Sequence, residues 1–84
     1  MHVQDIILDD EWINLSQLVS FTDENYTIVN CSNNIIWLAE SGDGEPDEGQ
    51  IPLSPSSQAG YVRGSQELYV KGLKDNRISI YKAG

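Results

Sequence analysis

The longest uninterrupted apolar run in this chain is the five residues Ile35 to Ala39. The rest is a succession of short apolar stretches, broken about every ten residues by polar, Gly- and Asn-containing punctuation, which is the pattern of a small sandwich or barrel. A run of five is far from the roughly 20 apolar residues that an α-helix needs to cross a bilayer. The expectation is therefore a single all-β domain, an antiparallel β-sandwich or flattened barrel of seven to eight short strands.

The stretches can be placed one by one. Val3 to Leu8 reads as an edge strand, with residues 1–9 forming either that strand or an arm ahead of a domain at 10–84. Trp12 to Leu15 follows an acidic turn at Asp9-Asp10-Glu11. The spacing of Leu15, Leu18 and Val19 fits one helical turn as well as a strand. Thr22 to Asn25 is a turn cluster. Tyr26 to Cys31 is rich in β-branched and aromatic residues and is expected to form a hairpin with Ile35 to Glu40 across Ser32-Asn33-Asn34. Because the apolar side chains of Ile35 to Ala39 fall on both faces, that return strand reads as central and covered on both sides. Ser41 to Gly49 is an exposed Gly- and acid-rich loop. The two prolines of Ile51 to Pro55 keep it out of a sheet's centre. Ala59 to Arg63 is a short strand. Leu68 to Lys71 and Arg77 to Lys82 alternate cleanly, with Leu68, Val70, Ile78 and Ile80 inward, and are expected to pair as a closing hairpin.

With 84 residues, one domain is all the chain can hold, and a domain of this size buries only about 60% of the surface its unfolded chain exposes. Extra stabilisation is useful to such a fold. Cys31 is the sole cysteine, so an internal disulfide is impossible, and a buried, inert thiol is the ordinary outcome for it. His2 is the sole histidine, and no zinc-ligand spacing occurs. Self-association is the remaining source of buried area.

Charge is segregated. Thirteen acidic and five basic residues give a formal charge of −8, and all five cations, Arg63, Lys71, Lys74, Arg77 and Lys82, follow position 60. An acidic surface repels phosphate backbones and anionic lipids, so neither nucleic acid nor a membrane surface is expected as a partner. The first twenty residues contain Asp5, Asp9, Asp10 and Glu11 and no Lys or Arg, unlike a secretory signal. In that setting the Asn-x-Ser/Thr triplets at Asn14, Asn25 and Asn30 are expected to be coincidental.

No residue pattern names a reaction. A nucleophile needs a base beside it, and His2 stands at a chain end. The acids Asp43, Glu45 and Asp47 alternate as at the start of a calcium loop, but the sixth and twelfth positions counted from Asp43 hold Glu48 and Ser54, where such a loop wants Gly and Glu. These three are weak metal candidates, and no cofactor is expected. The chain reads as a non-enzyme.

The large aromatic residues carry the binding expectation. Trp37, in mid-strand, is assigned to the core. Trp12, among acids, is a candidate for an interface, where Trp is enriched. Tyr61, Tyr69 and Tyr81 beside Arg63, Lys71 and Lys82 are expected to face outward and form a contact surface.

The order of features, from about residue 10 to residue 82, resembles small structural proteins of tailed bacteriophages and prophages. The features are Trp12-Ile13-Asn14-Leu15-Ser16, then Tyr26-Thr27-Ile28-Val29-Asn30, an apolar strand ending in Ala39-Glu40, the step Leu53-Ser54-Pro55, Leu68-Tyr69-Val70-Lys71 and a final alternating strand. The resemblance implies a virion protein, assembled in the host cytoplasm as a symmetric oligomer such as a trimer. Such a protein docks on other virion proteins, as a capsid decoration or at a tail or fibre attachment. A carbohydrate- or peptide-binding module, with exposed aromatics rimmed by the acidic loop, is the alternative.

Overall fold

The computed structural model describes residues 1–19, 25–62 and 64–82. Eight strands and one helical turn follow in order: β1 (His2–Ile7), β2 (Ile13–Asn14), α1 (Leu15–Leu18), β3 (Asn25–Asn30), β4 (Ile36–Ser41), β5 (Ile51–Leu53), β6 (Gln58–Val62), β7 (Glu67–Lys71) and β8 (Arg77–Lys82). They form two four-stranded sheets, β1-β8-β3-β6 and β2-β7-β4-β5, in a flattened body of 29 × 29 × 18 Å. The all-β sandwich expected from the sequence is the fold. No described helix is long and apolar enough to cross a membrane. The turn cluster at residues 22–24 and Arg63 lie outside the described residues.

The pairing follows a simple rule. β1 lies antiparallel to β8, β2 to β7, β3 to β6 and β4 to β5, as in one long hairpin with its tip between β4 and β5. Pairing of β3 with β8 and of β4 with β7 rolls that hairpin into two sheets. Eight strands in a double sheet wound this way form a jelly roll. Among the described strands, β4 and β5 are the only consecutive pair that share a sheet.

Both expected hairpins are therefore corrected. β3 and β4 are in different sheets, and so are β7 and β8. The reason lies in the hydrogen bonds at the crossovers. Asn30 is wholly buried. Its amide donates to the carbonyls of Asn34 and Leu53, at 2.8 and 2.9 Å, and its Oδ1 accepts from the Ser32 N–H and hydroxyl, at 2.9 and 2.6 Å. These bonds satisfy backbone groups that a hairpin ladder would otherwise serve, so the chain can leave one sheet for the other. The β7–β8 crossover is tied down by Leu8, whose N–H donates to the Asn76 carbonyl at 2.7 Å and whose carbonyl accepts from the Asp75 N–H at 2.9 Å. The two crossovers meet where the Asn34 amide donates to Asn76 Oδ1 at 3.2 Å.

Alternation sets the core. Ile6, Tyr26, Ile28, Ile78 and Ile80 from one sheet meet Ile36, Leu38, Leu53, Leu68 and Val70 from the other, with Leu8, Leu15 and Val19 at the ends. Residues 1–9 are not a projecting arm: β1 pairs with β8 from His2↔Tyr81 to Ile7↔Arg77, and Leu8 is buried. The ambiguous segment after β2 is a helical turn. Asn14 caps it, its Oδ1 accepting from the Gln17 N–H at 3.1 Å, which satisfies one of the helix's free donors.

Candidate functional site

The chemistry-bearing side chains gather on the two outer sheet faces. On the β2-β7-β4-β5 face, register aligns a row across the strands. Trp37 pairs with Lys71 on one side and Pro52 on the other. Since Ile13 pairs with Val70, Trp12 falls beside Lys71. The Lys71 ammonium sits 6.0 Å from the centre of the Trp12 ring, at the outer reach of a cation–π contact. Asp10 extends this alignment, its N–H donating to the Gly72 carbonyl at 2.8 Å.

Between the two tryptophans lies a groove of about 500 Å³, lined also by Asp10, Ile35, Asp47, Glu48 and Leu73. Trp37 is 41% exposed, Ile35 49% and Leu73 53%. Trp37 is thus not a core residue, which corrects the assignment from sequence. β4 is interior to its sheet, and its outward side is open at Trp37, although Ala39 on that same side is buried. Ile36 and Leu38 point into the core and Trp37 points out.

The β4–β5 loop builds the groove's acidic wall. Gln50 closes the loop by imitating a strand partner: its N–H donates to the Leu38 carbonyl at 3.0 Å, its Nε2 to the Glu40 carbonyl at 3.2 Å, and its Oε1 accepts from the Glu40 N–H at 3.1 Å. Gly49 then lies against the Trp37 indole so closely that an added Cβ would come within 2.5–2.7 Å of Trp37 atoms. Gly49→Ala is therefore expected to push the loop off the indole and to cost about 1–2 kcal/mol through overpacking. Chemical denaturation checks the cost, and a shift of the Trp37 indole NMR signal checks the displacement.

Asp47 belongs to this wall. Asp43, Glu45 and Asp47 do not converge, and among the described residues no three His, Cys, Asp or Glu side chains form a group that could hold a metal ion.

The expected surface of tyrosines and cations does not assemble on one face. Lys71 lies in the groove. Tyr69, on the same strand, is buried at 7% exposure, flanked in register by Asn14 and Ala39. Tyr61 packs half-buried against the core. Tyr61 thus corrects the expectation of an outward ring, whereas Tyr69 points away from the core, between the inward Leu68 and Val70, but is buried where it lies. Tyr81 is exposed but belongs to the opposite sheet, where its ring meets the His2 ring edge-on at 5.2 Å.

That opposite face carries a polar chain. His2 Nε2 lies 2.9 Å from Asp5 Oδ1, the Ser79 hydroxyl donates to the same carboxylate oxygen, and Cys31 Sγ is 3.4 Å from Ser79 Oγ. Cys31 is exposed, correcting its expected burial; it follows the last residue of β3 on the outward side. The residue types resemble a catalytic triad, but the order does not. The Ser79 hydroxyl is bonded to the carboxylate, whereas a triad needs it bonded to the imidazole.

The arrangement does act on Asp5. Its carboxyl is held below its ordinary value, first by the Ser79 hydrogen bond and then by that from His2. A depressed pKa in the folded state stabilises above the unfolded value and is lost as pH falls through the folded one. Ser79→Ala is expected to raise the Asp5 titration midpoint toward that of a free aspartate, as read by carboxyl NMR. The contribution of this contact to β1 docking is expected to fade in acid, below the ordinary aspartate range.

No protein-family model matches the chain, and no curated protein or solved structure shows significant similarity to it. The site thus has to be read from its own geometry.

Proposed function

We propose that this chain is a non-enzymatic structural component of a tailed-phage particle, self-associating and docking on larger virion proteins through the outer face of the β2-β7-β4-β5 sheet. The observation that carries the binding part of this reading is the groove between Trp12 and Trp37. Two indoles, Ile35 and Leu73 are left accessible together, on a domain too small to leave apolar area exposed without cost. Trp is also the residue type most enriched where binding energy concentrates. The virion part rests on the order of sequence features, from Trp12-Ile13-Asn14-Leu15-Ser16 to Leu68-Tyr69-Val70-Lys71. The architecture agrees by analogy, since jelly rolls serve in viral capsids and in lectins, although a fold hosts many functions.

The same groove supports a second reading, a carbohydrate-binding module. Indole faces suit the C–H faces of sugars, and the carboxylates of Asp10, Asp47 and Glu48 suit their hydroxyls. Particle composition separates the two readings. Mass spectrometry of purified particles from the strain that encodes the chain is expected to detect it in stoichiometric amounts. Its absence from those particles, with the protein expressed in the cells, would sink the virion reading.

A further inference from the structure

We infer that the Trp12–Trp37 groove receives an arginine- or lysine-bearing segment of a partner protein. This rests on the reading of the groove as a docking face and names the chemistry of what docks there.

Charge complementarity carries the inference. Three carboxylates, Asp10, Asp47 and Glu48, line the groove against one cation, Lys71. None of the three forms an ion pair among the described residues. The groove's walls, other than β7 and the two residues after it, come from the part of the chain that precedes position 63 and contains no Lys or Arg. The chain as a whole carries −8, which steers cations toward it and anions away.

The aromatic rings make the same selection. The face of an indole attracts a cation, and a guanidinium both stacks on the ring and pairs with a carboxylate. Lys71 over Trp12 is already an internal example of a cation on this platform. It sits at 6.0 Å, a loose contact on a flexible stem, so a better-placed guanidinium can displace it. A neutral sugar would use the rings but gain nothing from the net charge.

The chain has only two tryptophans, so nitrogen-15 NMR of the intact protein shows two indole N–H signals, both at this site. The probe is an acetylated and amidated pentapeptide carrying two arginines among glycines. The controls are its two-glutamate counterpart and a neutral trisaccharide. Both indole signals are expected to shift saturably with the arginine peptide and to stay fixed with the glutamate peptide. The affinity is expected to fall severalfold when salt is raised from about 0.05 to about 0.5 M, as screening shortens. Lys71→Gln, which removes the internal competitor, is expected to tighten binding about threefold. The paired change Asp47→Asn and Glu48→Gln, on an exposed loop where folding is not at stake, is expected to weaken it about fivefold or more.

Fixed indole signals with the arginine peptide would overturn the inference. So would saturation by the trisaccharide alone, or an arginine affinity indifferent to salt and to the Asp47 and Glu48 changes. A chain that is present in purified particles yet ignores the peptide would refute this inference and leave the proposed function standing. A chain that binds the peptide but is absent from particles would do the reverse.

Discussion

Asn30→Ala is expected to destabilise the domain by about 2–3 kcal/mol, far more than a surface substitution. The Asn30 side chain is wholly buried and makes four hydrogen bonds. Truncation strips a partner from the Leu53 and Asn34 carbonyls and from the Ser32 N–H. Water can reach Ser32 and Asn34 more readily than the buried bond to Leu53, so the loss falls mainly there. For a domain of this size each kcal/mol lowers Tm by roughly 4–8 °C, so a fall of about 10–20 °C is expected in a thermal melt. Asn30→Asp adds a signature that loss of volume lacks. The aspartate keeps the bonds from Ser32 but faces two carbonyls and is buried, so its pKa is raised in the folded state. Stability of that variant is then expected to be poorest at neutral pH and to recover as pH falls toward the raised value, where the carboxyl gains a proton to donate. A variant whose loss does not change with pH would mean that Asn30 fills space and does not organise the crossover.

Ile80→Ala is expected to cost about 3–4 kcal/mol, within the range for large-to-small changes in a core. Ile80 is wholly buried in β8, where it pairs in register with Gln4 on one side and Ile28 on the other. The cavity would open where β8 joins β1 to β3, and neither neighbour can move in without leaving its own strand register. Against a total stability of roughly 5–15 kcal/mol for ordinary domains, this is enough to leave a measurable unfolded fraction at 37 °C. Ile7→Ala, at an exposed position on β1, serves as the control and is expected to change stability by no more than about 0.5 kcal/mol. Equilibrium urea unfolding of the two variants checks both values.

The sequence carried the strands and their inward residues but not their partners. Alternation identified Leu68, Val70, Ile78 and Ile80 as core, and all four are buried. The prolines assigned residues 51–55 to an edge, and β5 is an edge strand. Alternation is a property of one strand and says nothing about which sheet the next one joins. Short connections at residues 31–35 and 72–76 therefore looked like hairpins, whereas both cross between sheets. The deciding features were the buried Asn30 at the first crossover and the backbone bonds of Leu8 to Asp75 and Asn76 at the second. Buried amides are not distinguishable in sequence from the turn-forming Asn residues around them.

The candidate site was legible in part for the same reason. Trp12 stood out because it is flanked by acids, and it does line the groove. Trp37 was hidden because a run of five apolar residues masks which face is open. Its exposure follows from the rolled topology, which lays no second sheet over the outer side of β4 at Trp37, although Ala39 two residues on is buried. The alignment of Trp12, Lys71 and Trp37 depends on the pairing of β2 with β7 and of β7 with β4, whose register partners lie up to 57 residues apart in the chain, as for Ile13 and Val70. No local pattern could have announced it. The tyrosines failed as a surface because Tyr61 and Tyr81 belong to one sheet and Tyr69 to the other.

The central claim is that this domain works by docking through the Trp12–Trp37 face on a particle. The most direct measurement is incorporation of a folded Trp12→Ala, Trp37→Ala double variant into particles in competition with the unchanged protein, with folding confirmed beforehand by circular dichroism and thermal melting. The account predicts that the unchanged protein is incorporated and that the double variant is depleted from particles by about tenfold or more, as expected when two anchors of an interface are removed. Equal incorporation of the two proteins would contradict it.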